Sequence, residues 1–111
     1  MEFKERLTGI KKATKTQRLE ECWDIEGMIK GHSNQVLKFD TRPIKKFALN
    51  QYGKVGYFKS KADKMVFDTP DQWVIIDVPE MSKYIKDKGI KDVHLGDLIS
   101  NLDWNIILQK F

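Results

Sequence analysis

The chain has 111 residues, with 20 Lys+Arg against 16 Asp+Glu for a formal net charge of +4, and is 41% hydrophobic including 11% aromatic. That is one domain's length with enough apolar content to build a core, which excludes a disordered chain. No apolar run approaches the roughly 20 residues that span a bilayer. The opening Met1-Glu2-Phe3-Lys4-Glu5-Arg6 carries acidic residues and no apolar stretch, so no secretory signal is expected. The single Cys22 excludes an internal disulfide and a multi-cysteine zinc site. One domain over residues 1–111, cytoplasmic and without membrane attachment, is the expectation.

Charge is unevenly spread. Residues 1–64 carry 15 Lys+Arg and 8 Asp+Glu, net +7, while residues 65–111 carry 5 and 8, net −3. A one-sided basic excess suits a phosphate backbone, because each neutralised phosphate releases condensed counterion. It equally suits a solvated basic surface.

In chain order, Phe3, Leu7 and Ile10 lie at helical spacing, so a helix is expected across the first 22 residues, with Gly9 as a possible break. Thr14 and Gln17 form a capping-box pattern that opens a second short turn through Leu19 and Cys22. Trp23–Ile29 alternates as a strand, Gly31-His32-Ser33-Asn34 is a turn, and Gln35–Asp40 reads as the returning strand, ended by Arg42-Pro43. Residues 46–49 and 55–58 flank a hairpin loop at 50–54. Residues 64–67 and 73–78 flank another at 69–72, and the apolar run from Trp73 marks a strand buried on both faces. Pro79-Glu80 opens a helix that Gly89 stops. In the tail, Leu98, Leu102, Ile106 and Leu108 are partly at helical spacing, while Ile106-Ile107-Leu108 also reads as an edge strand. The expected fold is α/β, or α+β, with a central mixed sheet of four to six strands flanked by helices.

Several chemistries are absent from the pattern. There is no phosphate-binding glycine loop and no Gly-x-Ser-x-Gly elbow, and His32 and His94 lack ligand spacing with each other or with Cys22. Carboxylates on strands are more informative. Asp24 begins one expected strand and Asp40 ends the next, 16 positions on. If these strands pair across the 31–34 turn, both carboxylates reach one end of the sheet and form a hard oxygen site suited to Mg²⁺ or Mn²⁺. Glu20 or Glu21 can add a third. Arg42 and Lys38 share Asp40's face by the two-residue period of a strand, where they can stabilise charge on a phosphate.

The segment Trp23-Asp24-Ile25 … Val36-Leu37-Lys38-Phe39-Asp40-Thr41-Arg42 resembles the PD-(D/E)xK, or restriction-endonuclease-like, superfamily. Gly53–Phe58, Lys61-Ala62-Asp63-Lys64-Met65-Val66-Phe67 and Trp73–Asp77 are similar to its small phage-type members. The resemblance covers roughly residues 20–88. It implies a metal-dependent DNA endonuclease in which Asp24, Asp40 and Glu21 hold Mg²⁺, with Arg42 and Lys38 at the phosphate. Arg42 stands where the family has Lys, and a guanidinium stays protonated, so it can clamp phosphate but cannot titrate beside water. The resemblance to small members of such folds also implies a homodimer.

Lys45, Lys46, Lys54, Lys59 and Lys61, interleaved with Tyr52 and Tyr57, are the candidate nucleic-acid contacts. Strand aromatics also serve as core. Two other readings stand beside the nuclease: a non-catalytic nucleic-acid-binding module using the basic half, and an accessory protein that binds a protein partner. The bland alternative makes Asp40–Pro43 a strand end and turn, and Asp24 an ordinary solvent-facing residue.

Overall fold

Strand pairing, not helical spacing, organises the N-terminal third. The computed structural model describes residues 2–32, 34–43, 60–89 and 95–110. A 3-10 turn over Phe3–Arg6 leads into β1 (Leu7–Lys12), which pairs antiparallel with β2 (Ile25–Ile29) through Leu7↔Ile29 and Lys12↔Ile25. This corrects the helix expected across the first 22 residues. Of its apolar stripe only Phe3 and Leu7 are buried; Ile10 is 45% exposed. Gly9 takes φ +64°, which interrupts any right-handed helix, and the pairing with β2 shifts register between Thr8 and Lys11. The expected capping box does form. Gln17 N–H donates to Thr14 Oγ1 at 3.2 Å and Thr14 N–H to Gln17 Oε1 at 2.9 Å, opening the short α1 (Lys15–Glu20).

β3 (Leu37–Pro43) returns antiparallel to β2 and then pairs in parallel with β4 (Lys64–Asp68). That parallel partner carries β3 as far as Pro43, opposite Asp68. The hairpin expected over 46–58 lies outside the described residues. β5 (Gln72–Asp77) pairs antiparallel with β4, α2 (Val78–Lys88) and α3 (Leu95–Asn101) follow, and β6 (Asn105–Gln109) closes the sheet against β5. The described strands thus form one six-stranded mixed sheet in chain order, an α/β fold with a central sheet. The tail supplies both a helix, α3, and an edge strand, β6.

Two cores sandwich this sheet. On one face Met65, Phe67, Val74 and Ile76 pack with Val78 and Met81 of α2, Leu95 and Leu98 of α3, and Trp23. On the other, Phe39, Val66, Trp73 and Ile75 pack with Phe3 and Leu7, and the Phe3 ring meets Phe39 edge-on at 5.2 Å. Trp73, Val74, Ile75 and Ile76 are each 0% exposed, so β5 is buried on both faces as its unbroken apolar run predicts.

Asp77 joins the sheet to its helical layer. Its Oδ2 accepts the Glu80 N–H at 3.0 Å as the N-cap of α2, and its Oδ1 takes the Lys64 ammonium at 2.7 Å. The same ammonium lies 3.6 Å from the Trp104 ring centroid. Gly89, at φ +61°, terminates α2 as expected. Asp77→Ala removes the cap and strands a largely buried ammonium, so it should cost about 2–3 kcal/mol of stability. The measurement is the urea midpoint, which should fall at unchanged m-value; an unaltered midpoint would deny both contacts a role.

Candidate active site

Asp24 immediately precedes β2 and is stitched to its surroundings by three hydrogen bonds. Its carbonyl accepts the Ala13 N–H at 2.9 Å, its own N–H donates to Phe39 O at 2.9 Å, and its Oδ1 accepts the Thr41 N–H at 3.0 Å. The first ties it to the β1–α1 junction and the other two to β3. Asp40 stands opposite Met65 across the β3–β4 ladder, so it projects from the face that α2 and α3 cover. It is 7% exposed. Asp24 and Asp40 line one cleft of about 240 Å³ with Arg18, Cys22, Trp23 and Thr41. The β2–β3 pairing thus brings the two carboxylates into one cleft, beside the start of β2 and the middle of β3.

Their proximity has an electrostatic signature. Burial pushes the Asp24 carboxyl above its ordinary value and the nearby Asp40 charge adds to the rise, while the Thr41 backbone N–H and hydroxyl pull the other way without reversing it. Asp40 has a countercharge. Arg42, two residues along β3, donates from Nη2 to Asp40 Oδ2 at 2.9 Å and from Nε to Oδ1 at 3.4 Å, engaging both oxygens. The shared face expected of residues 40 and 42 is therefore occupied by an internal ion pair.

The remaining expected site residues go elsewhere. Glu21 does not supply the third carboxylate: its Oε1 accepts the Trp23 indole N–H at 2.9 Å and lies 3.9 Å from Lys38 Nζ. Lys38 turns with it, 5.2 Å above the Trp23 ring. The cause is local. Glu21 is the C-cap of α1 and Cys22 follows at φ +62°, the left-handed position that glycine usually fills after a helix. Glu20 is exposed at the end of α1, and Lys61 is exposed with its N–H on the Glu21 carbonyl. Lys45, Lys46, Tyr52, Lys54, Tyr57, Lys59 and His94 lie outside the described residues. Among the described residues, no three His, Cys, Asp or Glu side chains gather as a metal group.

Three residues of the cleft escaped the sequence reading as site residues. Arg18 reaches it because the Thr14 cap sets α1 beside Asp24, a signal the capping box carried. Cys22 lines it through the chain reversal after α1. Thr41 enters through its backbone N–H, which no side-chain pattern announces. Two carboxylates with hard oxygen donors fit Mg²⁺, which retains waters and commonly takes one or two carboxylates plus a phosphate. The fit depends on Asp40 being released by Arg42. No protein-family model, curated protein or solved structure matches this chain. No helix among the described residues is long and apolar enough to cross a membrane.

The sign of the pH effect follows from Asp24. A carboxyl raised in the folded state binds protons more tightly than in the unfolded chain, so its contribution favours folding at low pH and is lost as pH rises through the raised value. Asp24→Asn keeps the acceptor for Thr41 and removes that loss. In EDTA at pH 7 the variant should melt a few degrees above the parent, and the gap should close below the ordinary aspartate value of 3.8. A parent that is more stable than the variant at pH 7 would contradict the electrostatic reading of the cleft.

Proposed function

We propose that the protein is a metal-dependent DNA endonuclease whose site is the Asp24–Asp40 cleft. The observation that carries this is the juxtaposition of two partly or fully buried carboxylates, held by a hairpin, with Arg18 and Arg42 beside them. Placing like charges together out of water disfavours their ionisation, as the rise at Asp24 indicates, and a divalent cation relieves that repulsion. The resemblance of Asp24 and Asp40-Thr41-Arg42 to the PD-(D/E)xK motif points the same way.

In this reading Asp24 and Asp40 hold Mg²⁺ or Mn²⁺. The ion, when bound, polarises the phosphoryl group and lowers the pKa of an attacking water. The chain's own part is largely electrostatic. Thr41 N–H fixes the Asp24 carboxylate, and Arg42 offers a planar guanidinium that grips two phosphate oxygens as charge builds. Arg18 stands at the rim for a neighbouring phosphate. Upstream in the chain, Lys11, Lys12 and Lys15 are exposed and add positive charge that suits a phosphate backbone. Water adds at phosphorus and gives up a proton to solvent as the ester P–O bond breaks, and the departing oxygen takes a proton from solvent. With one such site among the described residues of each chain, cutting both strands of a duplex calls for two copies.

A second reading has one observation in its favour. Arg42 neutralises Asp40 directly, which suits a diverged module that binds nucleic acid without cutting it. Supercoiled plasmid incubated in EDTA, Mg²⁺ and Mn²⁺ separates the two. The nuclease reading predicts metal-dependent nicking that falls at least ~100-fold in Asp40→Asn, the scale of a lost transition-state group. Salt-sensitive DNA binding without nicking in any metal, retained in Asp40→Asn, would instead establish the binding module.

A further inference from the structure

The sheet ends on β1 at one side and on β6 at the other, and the two edges are built differently. β1 is guarded. Gly9 at φ +64° and the register shift between Thr8 and Lys11 interrupt it, and exposed Lys11 and Lys12 charge it. β6, Asn105-Ile106-Ile107-Leu108-Gln109, has no charged residue, no proline and an unbroken register against β5. The alternation of an antiparallel ladder shows which of its groups face outward. The Lys110 N–H donates to Asp71 O at 3.2 Å, so residues 110, 108 and 106 bond toward β5. Asn105, Ile107 and Gln109 therefore turn their N–H and C=O groups away from the sheet. Arg6 marks the same direction, since its Nη2 donates to the Gln109 carbonyl at 2.6 Å. Among the described residues no other hydrogen bond takes these outward backbone groups, and Ile107 is 39% exposed.

A row of outward amides and carbonyls selects an extended strand, and the sequence of β6 selects which one. About a two-fold axis at Ile107, a second β6 running antiparallel sets Asn105 opposite Gln109, Ile106 opposite Leu108, and Ile107 opposite itself. Amide then meets amide and aliphatic meets aliphatic. The same register sets outward residues opposite outward residues, which is the hydrogen-bonded pairing of an antiparallel ladder. The Gln109 carbonyl, already used by Arg6, keeps a second lone pair for the Asn105 N–H of the second copy. Just beyond the strand, Asp103 of each copy falls at the Lys110 end of the other, so charges of opposite sign approach. We infer that β6 is a self-pairing edge: a second copy of this chain adds its own β6 antiparallel, joining the two six-stranded sheets into one. This rests on the edge alone and not on the nuclease reading, since a monomer can nick DNA and a dimer need not.

The test is sedimentation equilibrium of the full chain, read together with residue-resolved amide hydrogen exchange by NMR. A contact one short strand wide belongs with the small, reversible interfaces, so a dimer dissociation constant of roughly 10–100 µM is expected. Ile107→Lys sets two ammonium groups together on the two-fold axis, and Ile107→Pro removes the outward N–H without touching a bond to β5. Each should weaken the dimer at least ~tenfold. Ile10→Lys, at an exposed apolar residue of the opposite edge, should leave it unchanged. In wild type the Ile107 N–H should exchange at least ~fivefold more slowly above the dissociation constant than below it. The N–H groups of Ile106 and Leu108, already bonded to β5, should be protected at both concentrations. Wild type that stays monomeric well above that range overturns the inference. So does a dimer that both Ile107 variants retain with folding verified by circular dichroism, or one in which Ile107 exchange ignores concentration. The exchange measurement needs no variant and decides the matter if neither substitution folds.

Discussion

The backbone of Asp24 is the point on which the rest of this fold turns. Its carbonyl holds the chain between β1 and α1 through Ala13, its N–H continues the β2–β3 ladder to Phe39, and its carboxylate receives the N–H of Thr41. These three bonds bring α1, β2 and β3 to one corner, and each satisfies a polar group that would otherwise be lost from water. Because the corner is closed this way, Asp24 cannot turn its carboxylate to bulk solvent without giving up the Thr41 bond. The carboxylate is left half-buried beside Asp40, and burial first, with the neighbouring charge adding to it, raises its pKa. Stability and a prospective function are here in opposition at one residue, as is common where a site requires charges that the fold alone would not choose.

The two-faced core explains why the cleft stands where it does. One face is filled by α2 and α3 over Met65, Phe67, Val74 and Ile76, and the other by Phe3 and Leu7 against Phe39, Val66, Trp73 and Ile75. Asp40 belongs to the helical face, because it is in register with Met65. At this corner the wall consists of Trp23 and residues from α1 and its exit, and α1 buries none of its six residues. α1 is therefore held by its cap and by the chain on either side, rather than by an apolar stripe. Arg18 and Leu19 are left exposed on it, Leu19 at 72%.

How much of this was legible in the sequence depends on whether the signal was local. β5 announced itself by four apolar residues in succession, α2 by Pro79 and Gly89, and α1 by Thr14 and Gln17. The convergence of Asp24 and Asp40 followed from a hairpin whose two strands alternate clearly. The first 22 residues misled because Phe3 and Leu7 at i, i+4 suit a helix, yet the two are buried by a 3-10 turn and the first position of a strand. That outcome is set by pairing with β2, a non-local contact. The turn of Glu21 and Lys38 toward Trp23 was hidden for a related reason, since a left-handed cysteine after a helix has no sequence signature comparable to glycine. The two-residue period put Arg42 on Asp40's face but carried no information on whether the guanidinium would turn to the carboxylate or away from it.

The central claim is that Asp24 and Asp40 together form a divalent-cation site that a phosphate completes. Anomalous diffraction from crystals grown with Mn²⁺ and thymidine 5′-monophosphate tests it most directly. The account predicts one strong peak within coordination distance of both carboxylates, with the nucleotide phosphate beside it. A map without a peak at that corner at saturating metal and nucleotide would contradict it.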